Sequence, residues 1–402
     1  MAEGLFIAKP KPLHPLADCA AAAIAAAQAP VGCAPLSDRL AQAANVLLIV
    51  SDPTRCVAYP QWLPALVSQI RANMRPGAIL RIIMATGTHS APPVQDISAY
   101  LGINDEVVIH DCRNEASLVE LGTSTRGTPF VLNKLAVEAG LIIATGAVGY
   151  HYFAGFTGGV KAIFPGLAGF ESVIANHGLC LNIPAQRFAD GVAPGALAGN
   201  PVQEDFREVL PLLPPTFIIN TVLAEDRDPA FFAAGAPIAA HEACCAFVDE
   251  HFRCELPHEA GLLLLSAGGH PRDISLYQAH KALKHAQGGL AHRARILFVA
   301  KCPDGMGHPH FEHWCSLSLA KTLEQLQGGY QPIAHIALSL RTLARKFDIT
   351  LVSDLPAEIA EQWGMAHVTP EKASLKASWM LAHAEHPAAV AHGSSVLLSA
   401  LQ

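Results

Sequence analysis

The chain has 402 residues, 51% of them hydrophobic and 15% charged, with a net charge of −7. That length points to two domains, and the balance excludes a disordered chain while supplying a large core. No general basic field exists for nucleic acid, and no Lys/Arg run supplies a local one. The ten cysteines form no CxxC pair and no secreted framework, so they read as reduced thiols of a cytoplasmic protein. No signal peptide opens the chain. The Ala-rich run Ala20–Ala29 is far shorter than the ~20 residues of a membrane span and reads as a core-facing helix.

From there one pattern recurs: a short apolar run, a polar or Gly-rich turn, then a helical stretch. Asn45–Val50 runs into SDPTR, with a helix expected over Pro64–Asn73. Leu80–Met84 runs into ATGTH, and Leu141–Thr145 into Gly146 and then Tyr150-His151. A helix is expected over Glu242–Arg253. After a break at 256–260 come Gly261–Leu265, a helix over Leu276–Gln287, and the strands Arg295–Ala300 and Thr350–Val352. Apolar runs buried on both faces favour parallel sheets covered by helices. The expected class is therefore α/β, with two domains of largely parallel sheets flanked by helices and the active site in the cleft between them. The boundaries expected are 1–257, joined by 386–402, and 258–385. Polar residues that follow such strands gather at the carboxyl edge of the sheet, where open α/β folds bind ligands.

The densest chemical signal is HYFAGFTGGVKAIFPG, residues 151–166. Gly155, Gly158 and Gly159 permit close backbone approach and can turn N–H groups toward an anion. Lys161 follows, at the expected start of a helix. Acids are the usual residues at a helix start, so a lysine there invites an anion or a covalent partner. The pattern is not a phosphate-binding GxxxxGK[ST] loop, and a glycine-rich turn with a surface lysine is the plainer alternative. His177, sixteen residues beyond Lys161, is a ligand type suited to nickel, although a lone histidine is more often a hydrogen-bonded core residue. His89 and His151 both follow strands and would suit a two-base arrangement, in which one ring removes a proton and the other supplies one. Asp52 and Arg55 in SDPTR, and Gln278 and Lys281 one helical turn apart, read either as anion-holding groups or as solvated polar faces.

Taken together these segments resemble the nickel-pincer lactate racemase family. The likeness also takes in GTSTRGTP (122–129), ANH (175–177), SAGGHPRDISLYQAHKAL (266–283) and CPDGMGHPHFEHW (302–314), and so spans most of the chain. It implies a pyridinium mononucleotide with two sulfur arms that carries nickel. Lys161 would be its covalent attachment and His177 its nickel ligand. The turn with Gly155, Gly158 and Gly159 would face the nucleotide, and Asp52 would bind it or order the arginine. His89 and His151 would be the paired acid and base, while Arg55 and Lys281, with Gln278, would hold a substrate carboxylate.

The implied reaction is racemisation or epimerisation of a small 2-hydroxy acid by hydride transfer through a 2-keto acid. The partners implied are that substrate and the enzymes that build the cofactor, with no nucleic acid and no membrane. A cofactor-dependent 2-hydroxyacid oxidoreductase, or a non-catalytic nickel or cofactor carrier, is the alternative. Cys56 after Arg55 and Ser90 after His89 depart from the residues common in the family, which leaves lactate, malate-like, aromatic, aliphatic and sugar acids open as substrates. The chain is also expected to lack a leading strand.

Overall fold

The computed structural model describes residues 4–225, 227–326 and 329–401. Two compact units emerge. One comprises Pro12–His177 and Leu197–Asp249; the other comprises Met1–Lys11, Gly178–Ala196 and Glu250–Gln402.

The first unit is built on a six-stranded sheet. Its strands, in spatial order, are Pro229–Gly235, Thr216–Leu223, Leu141–Ala147, Asn45–Ser51, Ile79–Ala85 and Val107–Ile109. All but the first run parallel. The central strands are buried nearly throughout, as continuous apolar runs require. The helix Leu63–Asn73 carries Leu63, Leu66, Val67 and Ile70 on one buried face, and a proline in its first turn costs no hydrogen bond. Each such side chain contributes roughly 1.5–3 kcal/mol on full burial. The chain passes from 45–51 to strands on one side, then returns to place 141–147 on the other. That reversal is the switch point at which open sheets leave a crevice beside their carboxyl ends.

The second unit has its own six-stranded sheet, wholly parallel, in the order Phe6–Ala8, Pro387–Val390, Ala260–Ser266, Leu290–Val299, Asp348–Val352 and Ala366–Val368. Two expectations change here. A leading strand is present, because Phe6–Ala8 pairs with Pro387–Val390. The segment after 386 belongs to this unit and not to the first, since 387–390 pairs with Ala260–Ser266, and Leu397–Ala400 pairs with Arg253–Leu256. Short edge strands such as 6–8 show no period that a sequence pattern can register, so only long-range pairing reveals them. The ten cysteines are all free, and eight are buried. Among the described residues no helix is long and apolar enough to cross a membrane.

Candidate active site

Three strand ends of the first unit deliver its site residues to one edge. Asp52 follows 45–51, the loop 86–89 follows 79–85, and His151 follows 141–147. Asp52 is buried, and its carboxylate accepts from Thr54 N at 2.8 Å and faces His89 Nδ1 at 3.2 Å. Burial works against its charge, but the hydrogen bonds from His89 and Thr54, with the charges of His89 and Arg55, outweigh it and hold the carboxyl below its ordinary value. A carboxylate only accepts, so His89 donates through Nδ1 and its lone pair lies on Nε2. The backbone carbonyl oxygen of Asp52 also accepts from Arg55 N at 3.0 Å, so Asp52 contacts the arginine segment as well as His89 and Thr54. Arg55 is exposed, and among the described residues its guanidinium makes no ion pair.

The loop bearing His89 is tied to the lysine segment, where Gly87 N donates to Gly166 O at 3.0 Å. The helix expected at Lys161 is a single 3-10 turn, Gly159–Ala162, and the next α-helix starts at Phe170. Gly159 also has a different task from the one expected. Its amide donates to Asn220 Oδ1 at 2.8 Å, and a Cβ there would meet the His241 ring at 2.6 Å. Its N–H therefore serves the protein's own packing and not an anion. Gly158 likewise faces Val148 and Asn220, and Gly155, at φ 76, closes the short hairpin opposite His151. Beneath the turn, His241 contacts Thr157 O through Nε2 at 2.9 Å; burial, with the charges of Arg207 and Lys161, pushes its pKa down to about 4.

Phe153 gathers the rest. Its buried ring lies edge-on to His151 at 4.5 Å and to His177 at 5.1 Å, with Lys161 Nζ 5.8 Å from its centroid. Phe206 approaches the same amine at 5.7 Å. His177 faces Asn176 Oδ1 through Nδ1 at 3.3 Å, and Asn176 is itself fixed, its Nδ2 donating to Asp205 Oδ2 at 2.8 Å and Val202 O at 3.3 Å. Asp205, wholly buried, also accepts from Ser124 Oγ at 2.5 Å. With its nitrogen so committed, the Asn176 amide presents oxygen to His177, which makes Nδ1 the donor and puts the lone pair of the neutral ring on Nε2.

The short helix Pro201–Arg207 thus backs the site three times: Asn200 caps it and donates to Phe153 O at 2.9 Å, Asp205 reaches Asn176, and Phe206 reaches Lys161. Sequence reasoning passed over this helix because it carries no motif. The one available signal was Asn200-Pro201, an N-cap followed by a first-turn proline.

In the second unit, Gln278 and Lys281 lie on the helix Leu276–Ala286, and Lys281 Nζ donates to Gln278 Oε1 at 2.6 Å. Within the first unit the structure pairs Asp52 with His89 and gathers His151, Lys161 and His177 around Phe153, with Arg55 exposed; in the second it pairs Gln278 with Lys281.

The profile of the lactate racemase N-terminal domain matches residues 3–189, and that of the lactate racemase C-terminal domain matches 257–398. The chain is 33% identical over 289 residues to a lactate racemase of Thermoanaerobacterium thermosaccharolyticum, covering 71% of this chain. It is 33% identical over 287 residues to a lactate racemase of Lactiplantibacillus plantarum, covering 69%. Each match takes in 66%, just under two thirds, of the relative's length. The structure of the lactate racemase apoprotein from T. thermosaccharolyticum superposes with a TM-score of 0.87 at 27% identity, covering 98% of this chain and 94% of that one. A Thermotoga maritima protein, at 17% identity and a TM-score of 0.64, shares the fold. By these matches the chain belongs to the lactate racemase family.

Proposed function

We propose that this protein inverts C2 of a small 2-hydroxy acid, with a nickel-pincer nucleotide joined to Lys161 and its metal bound by His177. The observation that carries the reading is the Phe153 ring, which brings the Lys161 amine, the His177 imidazole and the His151 imidazole around one side chain.

The residues suit the group. An amine between two aromatic rings is placed for a flat heteroaromatic partner, and a histidine whose Nδ1 is engaged offers Nε2 to a borderline metal such as nickel. When bound, the nucleotide supplies a hydride acceptor beside C2. The chain supplies the rest. Nε2 of His89 takes the hydroxyl proton, and the buried Asp52 carboxylate stabilises the imidazolium that forms, as in other Asp–His pairs. Arg55 and Lys281, with Gln278, hold the substrate carboxylate while a planar 2-keto acid presents its other face. His151 is the second proton-handling group. The enzymes that build the cofactor are the required partners, and the cytoplasm is the expected compartment.

The test is to produce the protein together with cofactor-building enzymes, measure its intact mass, and follow a panel of 2-hydroxy acids by chiral separation. We expect a mass adduct on Lys161 that is absent in Lys161→Ala, and inversion from either enantiomer of one substrate class. An unmodified Lys161 in that preparation would overturn the cofactor assignment; net accumulation of keto acid without inversion would make the protein an oxidoreductase instead.

A further inference from the structure

Two histidines read from sequence as an equivalent pair are held by opposite kinds of partner. His89 Nδ1 faces the Asp52 carboxylate at 3.2 Å, with Thr54 Oγ1 at 3.3 Å. His151 Nδ1 instead accepts from backbone amides, Ala154 N at 3.1 Å and Phe153 N at 3.5 Å. A ring nitrogen that accepts an N–H has committed its lone pair and cannot also carry a proton, so the neutral ring bears its hydrogen on the other nitrogen. A ring nitrogen that faces a carboxylate must be the protonated one.

We propose that the two rings occupy opposite tautomers in the resting protein. His89 is a ready base at Nε2, whereas His151 offers Nε2–H as a hydrogen-bond donor and becomes a base only after releasing the Ala154 amide. This rests on the functional reading above. For the enantiomer whose hydroxyl meets His89, the O–H bond breaks, its proton joins Nε2, and the positive charge lies against Asp52. For the other enantiomer, Nε2 of His151 already holds a hydrogen. Its proton must first move to Nδ1, which displaces the Ala154 N–H, before the hydroxyl proton can be accepted. The turn 151–155 is therefore a positioning element that makes the two directions unequal in their first step. Asp52 is the positioning residue that makes His89 the prompt one.

The test has two arms. In the full-length chain labelled with 15N-histidine, two-bond proton–nitrogen imidazole spectra at alkaline pH report the tautomer of each ring, and His89→Gln and His151→Gln identify the signals. We expect Nδ1–H for His89 and Nε2–H for His151; the same tautomer in both rings would overturn the proposal, whatever the activity. In the cofactor-loaded enzyme, single-turnover keto-acid formation is measured from each enantiomer. The faster enantiomer should be the one that His89→Gln slows by about a hundredfold or more, the scale of a lost general base. Equal wild-type rates, or a faster enantiomer that depends on His151, would also overturn it. A wild-type enzyme that inverts nothing, with the opposite tautomers intact, would count against the functional reading alone.

Discussion

Three histidines at the candidate site of the first unit differ in kind from three buried ones in the second. In the first, His89, His151 and His177 are partly exposed near strand or helix ends, each with Nδ1 engaged by a defined partner. In the second, His280 and His285 on the helix Leu276–Ala286, and His335 on Ala334–Lys346, are fully buried. Burial pushes His285 and His335 down to about 3 and holds His280 well below its ordinary value. The first group stands where the proposed function needs proton transfer and a metal ligand, and burial keeps the second neutral. A count of 20 histidines hides this division, because the residue type is the same and only the surroundings differ.

The sharpest way to break the comparison is to remove one residue from each set. His89→Gln should cost about 10²–10⁴ in kcat, the usual worth of a positioned acid or base, with little change in urea midpoint. His335→Gln should do the reverse, leaving kcat near wild type while lowering the midpoint, since it disrupts the contact with Tyr330 (2.6 Å) inside the fold. If both substitutions moved both quantities alike, the division would be wrong. Next in size is the relay behind His177. Asn176→Ala or Asp205→Asn should weaken retention of nickel about 10–100-fold by metal analysis of the loaded protein, the range for lost outer-shell partners. Unchanged retention would show that His177 needs no such orientation.

Acid stability sharpens the same contrast. Histidines held neutral in the fold, with values near 3 or 4, take up protons more readily once unfolded. The unfolded state then binds more protons between those values and about pH 6.5, so stability falls with pH through that window, by about 1.4 kcal/mol per unit for each such ring. Urea midpoints taken from pH 7 to pH 4 should fall steeply, and His335→Gln should lessen the slope by one proton's share. The smallest effect belongs to the surface. Arg126 bridges Glu204 at 2.5 Å and Glu208 at 3.2 Å with its side chain about a third exposed, and Arg126→Ala should cost under about 1 kcal/mol.

Six strands were legible as apolar runs within a few residues, because a strand covered on both faces needs apolar residues throughout. The strands Thr216–Leu223 and Pro229–Gly235 were not singled out. The two follow one another in the chain and pair antiparallel, outside the recurring order of strand, turn and helix. The helix over Leu276–Gln287 was placed to within a residue, whereas the one expected at 242 begins at Pro237.

The order of residues along the chain was enough to say which groups leave the carboxyl ends of parallel strands, and hence that Asp52, His89 and His151 share an edge. It also confined the lysine and the metal-type histidine to one segment, because those are local properties of turns and spacing. What folding alone decided was the use of each hydrogen: Asp52 on His89, Ala154 on His151, Asn220 on Gly159, and Asp205 through Asn176 on His177. Several of these partners lie dozens of residues apart, and a hydrogen bond depends on distance and direction in space, which no local pattern encodes.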